Sequence, residues 1–301
     1  MNIGFTLNNY GEYYINLASR LGFDCLEVSA DRGTALDVEK MTKDDYKRLA
    51  EEREKYGVSI DSVTSMVNHL AGDTERRDNN KFFMRLIQNA HNYGSQIVMT
   101  NAFGDPYISP EENMSKYKEV FSEYARAAED AGVSIVLENC PHSGGYPCVI
   151  GNIGYSPAMW EVMFDAVPSQ AIGIEYDPSH MVWQQMDYLE AIYDFGDRIY
   201  AFHAKDTEIN NKQLKRNGIY GSRAENNSGW VFGWWRHRIP GMGLIDWTSI
   251  FTALYDVNFK GPMFIEHEDP VFHGERFEEG LWMGLRHLQA LAPPIRSRKR
   301  V

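Results

Sequence analysis

AIGIEYDPSH, residues 171–180, opens as an apolar, β-rich run and stops abruptly on Asp177, Pro178 and His180. The run has the length of a single buried strand. Asp177 therefore follows residues that look buried, and its charge needs a partner. The same shape recurs along the chain. Strand-like runs fall at 3–7 (IGFTL), 25–29 (CLEVS), 59–64 (SIDSVT), 96–100 (QIVMT), 134–138 (SIVLE), 171–176, 199–204 (IYAFHA) and 262–267 (PMFIEH). Helix-like segments separate them at 11–21, 42–56, 79–93, 110–131, 156–166, 187–195, 247–255 and 275–291. Thr42 with Asp45, Ser109-Pro110 and Ser156-Pro157 mark helix starts. Gly22, Gly57, Gly94, Gly132 and Gly196 mark helix ends.

Eight such βα units predict an α/β fold, a single (β/α)8 TIM barrel, for which about 250 residues is typical. A doubly wound sheet also alternates strands and helices, but no glycine-rich dinucleotide loop follows the first strand. The barrel is expected over 1–292, with a basic tail, 293–301, after the Pro293-Pro294 break. A long insertion, 207–246, separates strand seven from helix seven, and insertions of that length are usually functional.

Composition excludes several classes of function. The 301 residues are 43% hydrophobic, enough for a sizeable core, and the net charge is −12. A nucleic-acid-binding surface would be basic, so none is expected. No apolar run is long enough to span a membrane. The N-terminal residues do not read as a signal peptide, and three cysteines without CxxC spacing suggest reduced thiols, so a cytoplasmic protein is expected.

In a barrel of this kind the active site lies where the strands end. Strands five to eight end in LENCP, YDPSH, FHAKD and IEHED, which brings Glu138, Asp177, His203 and Glu266 to one place. A lone acid at a strand end is commonly a helix cap, and a lone histidine a satisfied core residue. Three carboxylates and an imidazole converging from neighbouring strands would repel one another without a cation. The set predicts one divalent metal ion, Mn2+ first, with Mg2+ and Co2+ also fitting and Zn2+ less so.

LENCP, GIEYDPSH, FHAKDTE and RIPGMGLIDW, followed by IEHED, resemble the sugar phosphate isomerase/epimerase family, a xylose-isomerase-like barrel. The resemblance covers nearly the whole chain. It implies metal binding by Glu138, Asp177, His203 and Glu266, with the two glutamates also serving as a facing acid/base pair. It implies that His180 and Arg238 contact substrate oxygens. The activity it implies is a metal-dependent sugar isomerase or epimerase that removes a proton next to a carbonyl through a metal-stabilised enediolate.

Ketose 3-epimerases of that family carry a further glutamate where this chain has Gly144. The same loop offers His142, read as a third catalytic group. The alternative activity is therefore β-elimination by a lyase on an oxidised sugar, such as a keto-inositol dehydratase or a 3-oxo C-glycoside deglycosidase subunit. Lys205 shares the strand parity of His203 and is read as reaching the substrate. Glu175 shares the parity of Asp177 and should point into the barrel. Glu27 and His69 are read as pocket-lining residues. Trp230, Phe232, Trp234 and Trp235 make the insertion strongly aromatic, as a wall for a sugar ring or aglycone, or as a subunit contact. A small sugar or glycoside substrate and an oligomer, with a second different subunit as one form of it, are the expected partners. No clear phosphate cradle is present, the GMG at 241–243 being only a weak signal for one. Apurinic-site endonucleases share the broader barrel, but they need more histidines and a basic groove.

Overall fold

The computed structural model describes residues 1–142, 150–219 and 231–292. Its strands run β1 (Ile3–Leu7), β2 (Cys25–Ser29), β3 (Ser59–Thr64), β4 (Ile97–Thr100), β5 (Ser134–Glu138), β6 (Ile172–Tyr176), β7 (Ile199–Ala204), β8 (Asp206–Ile209), β9 (Trp235–Arg238) and β10 (Met263–Ile265). All but β8 and β9 are parallel and close into one barrel in chain order, β10 pairing with β1. The helices are α1 (Glu12–Leu21), α2 (Lys43–Tyr56), α3 (Asp73–Tyr93), α4 (Pro110–Ala131), α5 (Pro157–Ala166), α6 (Pro178–Trp183), α7 (Glu190–Phe195), α8 (Asn211–Asn217), α9 (Trp247–Asp256) and α10 (Phe277–Leu291). The eight-unit barrel expected from the alternation is the observed fold.

Local chemistry sets the helix ends. Thr42 and Ser109 each close a reciprocal capping box, with Asp45 and Glu112 respectively, and Pro110 opens α4. Gly22, Gly57, Gly94 and Gly132 sit at φ of 90°, 64°, 90° and 67°, the left-handed turn that ends a helix. Gly196 differs, keeping a right-handed φ of −57°. Helix α3 starts six residues before the expected 79, because its first turns are polar and show no apolar period. Helix α6 was not expected at all, although Asp177 caps it and Pro178 stands at its start.

Strand parity divides the side chains between two environments. Phe202 faces outward onto the rings of Tyr176, Trp247 and Phe259. Burying a side chain of that size stabilises by about 1.5–3 kcal/mol. Inside the barrel, Cys25, Met99, Val136, Ala201 and Phe264 form a separate apolar cluster. Two residues further along their strands, on the same parity, stand Glu27, Glu138, His203 and Glu266. Glu138 is registered beside Glu175, and Phe264 beside His203. The apolar plug thus supports a polar layer at the C-terminal mouth. Among the described residues no helix is long and apolar enough to cross a membrane.

His69 lies elsewhere than expected. It is fully buried in the helical layer, its ring against Phe83, Phe121 and Tyr124, and so does not line a pocket. Thr100 donates its hydroxyl to the Ser65 carbonyl, so it accepts from His69 Nε2 at 2.7 Å. Nδ1 meets the Tyr124 hydroxyl at 3.1 Å. With both nitrogens paired among aromatic rings, burial pushes the imidazole down to about 3.

A base depressed in the folded state stabilises fully above its unfolded value near 6.5 and loses that contribution as pH falls toward about 3. Urea unfolding at pH 7 and pH 5 should therefore show a loss of roughly 2 kcal/mol assignable to this residue. His69→Gln should be less stable at pH 7 but should lack that part of the slope. Equal pH slopes in the two proteins would contradict the assignment.

Candidate active site

Glu138 ends β5, Asp177 follows β6, His203 sits near the end of β7 and Glu266 follows β10. Their ligand atoms all lie within 4.8 Å of one another. Asp177 divides its two oxygens. Oδ1 accepts the Ser179 amide at 2.8 Å and so caps α6, while Oδ2 accepts no hydrogen bond and lies 3.0 Å from Lys205 Nζ. The Asp177 backbone is held in turn by Asn139, whose amide oxygen and nitrogen take the Asp177 N–H (2.7 Å) and carbonyl (2.9 Å). His203 Nδ1 faces Glu138 Oε1 at 3.3 Å and Glu266 Oε2 at 3.2 Å. Its other nitrogen meets Glu27 Oε1 at 2.9 Å and Glu175 Oε1 at 3.4 Å.

Lys205 is the cation the chain itself supplies. Its ammonium is buried against Asp177 and Glu266 and lies 3.2 Å from Glu268. Burial alone would lower its affinity for a proton, but these carboxylates hold it well above the ordinary lysine range. Burial raises Asp177 to about 6 against the pull of Lys205. Glu266 goes the other way: despite burial, Lys205 and His203 hold it well below the usual carboxylate range. Burial also lifts Glu268 to about 8 and Glu175 well above the ordinary value. One ammonium therefore shares a buried space with several carboxylates. The donor set and the unbonded Asp177 Oδ2 suit a divalent cation held by Glu138, Asp177, His203 and Glu266.

The xylose isomerase-like TIM barrel family model matches residues 15–289. The chain belongs to this family. It is 22% identical over 252 residues to an inosose dehydratase of Geobacillus kaustophilus, covering 78% of this chain and 76% of that protein. Among solved structures, the IOLI protein with a bound zinc atom superposes with a TM-score of 0.73 at 19% identity, over 97% of this chain and 98% of that one. The D-psicose 3-epimerase of Clostridium cellulolyticum with D-tagatose gives a TM-score of 0.73 at 17% identity, over 97% and 99%. The dehydratase and the epimerase are enzymes by name, and this chain shares their barrel.

The other expected site residues divide. His180 reaches the cluster, its Nε2 3.3 Å from Asp177 Oδ2 and 3.8 Å from Glu138 Oε1. A ring nitrogen of His142, a carboxylate oxygen of Glu138 and the Cys140 sulfur all lie within 4.8 Å of one another. It stands at φ 48°, packed on Phe103 and bonded to the Asn101 amide at 2.7 Å. Arg238, expected on substrate oxygens, is engaged instead by Asp269 at 2.8 Å and by Glu208. It neutralises a fully buried aspartate and braces the insertion. Gly144, Cys148, Trp230 and the tail 293–301 lie outside the described residues.

The insertion folds as the antiparallel hairpin β8–β9, with α8 between its strands. Period-two alternation on β9 buries Trp235 and His237 and leaves Arg236 and Arg238 to pair with Glu208 on β8. Trp235 stacks on Trp183 at 4.7 Å and on Phe232 at 4.2 Å, so the expected aromatic wall pins the hairpin to the barrel end. Trp234 is buried and donates to the Ile219 carbonyl at 3.1 Å.

The GMG turn cradles a carboxylate of the chain rather than a phosphate. Asp206 accepts from the amides of Thr207, Gly241 and Ile245 and from the Trp247 indole. A Cβ on Gly243 would overlap Asp206 and the Thr207 carbonyl, so only glycine fits. Two cluster residues escaped the sequence reading. Glu268 lies two residues beyond Glu266, its N–H returning to the Glu266 carbonyl at 3.2 Å, and His237 Nε2 lies 3.3 Å from it. The repeated acids of IEHED were the available signal.

Lys205→Met should leave Asp177, Glu266 and Glu268 without their ammonium. In EDTA, the variant should unfold about 3–5 kcal/mol earlier than the parent by urea titration. A variant of equal stability would mean that Lys205 does not carry the charge balance.

Proposed function

We propose that this protein is a divalent-metal-dependent sugar isomerase or epimerase acting on the C–H next to a carbonyl. The observation that carries the reading is the flanking of His203 Nδ1 by two glutamates from different strands, at 3.3 Å and 3.2 Å. Glu138, Asp177, His203 and Glu266 would hold the cation, with Mn2+ favoured by their mixed oxygen and nitrogen donors. When bound, that cation supplies Lewis acidity that makes the neighbouring C–H more acidic. Glu266, held ionised by Lys205 and His203, accepts the proton from carbon. Glu138, on the facing strand, returns a proton to the other side of the carbon, which inverts the centre. His180 donates to a substrate oxygen, and Lys205 balances charge at the same wall. Water exclusion is supported by burial: Glu138, Asp177, His180 and His203 are each at most 3% exposed.

A lyase on an oxidised sugar is the second reading. His142, beside Glu138 and held by Asn101, adds a third acid or base that an epimerase does not need. With a leaving group β to the carbonyl, proton removal by Glu266 followed by protonation of the leaving oxygen from His142 gives an enone. The inosose dehydratase resemblance points the same way.

Both readings are tested by NMR in D2O with Mn2+ washed out after turnover, across ketoses, aldoses, keto-inositols and 3-oxo-glycosides. Deuterium in an isomer identifies the epimerase or isomerase, and a new enone identifies the lyase. Glu266→Gln should keep partial metal binding and lose about 10²–10⁴ in turnover. Near-normal turnover in that variant would remove Glu266 from the acid/base role. His142→Ala should abolish elimination alone if the lyase reading holds.

A further inference from the structure

Two of the imidazoles at the cluster, His203 and His180, each have one ring nitrogen engaged outside it. His203 Nε2 lies 2.9 Å from Glu27 Oε1. A carboxylate only accepts, so this nitrogen carries the hydrogen. The opposite nitrogen, Nδ1, faces the Glu138 and Glu266 carboxylates, so it too carries a hydrogen until a cation displaces it. His180 is arranged the other way round. The Trp183 indole, which can only donate, reaches its Nδ1 at 3.2 Å. That nitrogen is therefore bare, and the hydrogen is on Nε2, which faces Asp177 Oδ2 at 3.3 Å.

We infer that Glu27 and Trp183 are positioning residues that present one tautomer, Nε2–H, to the site in two opposite orientations. With a cation bound, His203 turns its lone pair toward the cluster, and His180 turns its N–H toward it. The inference deepens the cation-site reading above and rests on it. A partner that fixes the far nitrogen of a ligating imidazole sets both its tautomer and its angle. Glu27 is suited to this task because β2 places it inside the barrel, 1% exposed. Trp183 is held by its own stack on Trp235, with rings 4° from parallel. The insertion thereby reaches His180 through the Trp235–Trp183 stack, and His237 of β9 also lies edge-on to the ring at 5.5 Å. With Nδ1 occupied by Trp183, His180 serves a ligand oxygen as a donor, while His203 alone of the pair offers a nitrogen lone pair.

The test uses Co2+ alone as the probe, followed by visible absorption, with the full chain. Glu27→Met should bind Co2+ about 10- to 100-fold more weakly than the parent. Glu27→Gln, whose amide oxygen still accepts, should lose less. Trp183→Phe should leave Co2+ affinity unchanged. In the metal-free protein, ¹⁵N-histidine NMR should show His180 as the Nε2–H tautomer, and Trp183→Phe should shift it to a mixture. Cooperative melting establishes folding, and Glu27→Gln carries the comparison if Glu27→Met does not melt cooperatively. Parent-like Co2+ affinity in a folded Glu27 variant overturns the role of Glu27. An Nδ1–H tautomer at His180 in the parent overturns that of Trp183. A parent protein that binds no Co2+ overturns the cation reading and the role of Glu27 with it, while the metal-free NMR still decides Trp183.

Discussion

The crowding of buried carboxylates around Lys205 and His203 is the constraint on which the rest of the mouth of the barrel depends. Like charges about 4 Å apart repel by about 4 kcal/mol even at an effective dielectric of 20. Asp177, Glu266 and Glu268 share a single ammonium, and Glu138 shares an imidazole with Glu266. Such a set persists only where the backbone holds it rigidly and positive charge is at hand. Strand parity provides the first condition. It fixes Glu138, His203 and Glu266 as the next inward residues above Val136, Ala201 and Phe264. The apolar side chains below close the barrel to water, which strengthens every charge interaction above them.

Much of this was legible in the sequence because both periods, of strand and of helix, are strong. The runs IGFTL, CLEVS, SIDSVT, SIVLE and IYAFHA are strands at the residues their composition suggests. The four strand-end residues converge because a parallel barrel puts all its strand ends on one face. What was not legible has specific causes. His69 reads as a strand-end residue, but the chain turns outward after β3 and carries the ring into the helical layer. The first turns of α3 are polar, so no apolar period announced them. Glu268 lies beyond β10, where its N–H turns back onto the Glu266 carbonyl and strand parity no longer predicts direction.

Arg238 and the GMG turn teach a related point. Both resemble ligand-binding features, and both are engaged by buried acids of the same chain, Asp269 and Asp206. The partners lie 31 and 35 residues away, so no local pattern joins them. A buried aspartate with four donors, as Asp206 has, needs no external cation, whereas Asp177 Oδ2 accepts no hydrogen bond at all. Between these two aspartates, satisfaction of each oxygen rather than residue type marks the difference.

The molecule also divides its labour between scaffold and insertion. Glu138 and His203 belong to strands paired on both sides, and Asp177 and Glu266 directly follow strands of the same barrel. Trp235 and His237 belong to a two-stranded hairpin, which gains its place only by docking. Its docking contacts include the Trp183–Trp235 stack and the Arg238–Asp269 ion pair, and Trp183 also bonds His180. A change in the hairpin therefore reaches the His180 ring through Trp183 and Glu268 through His237, while Glu138 and His203 stay fixed by strand pairing.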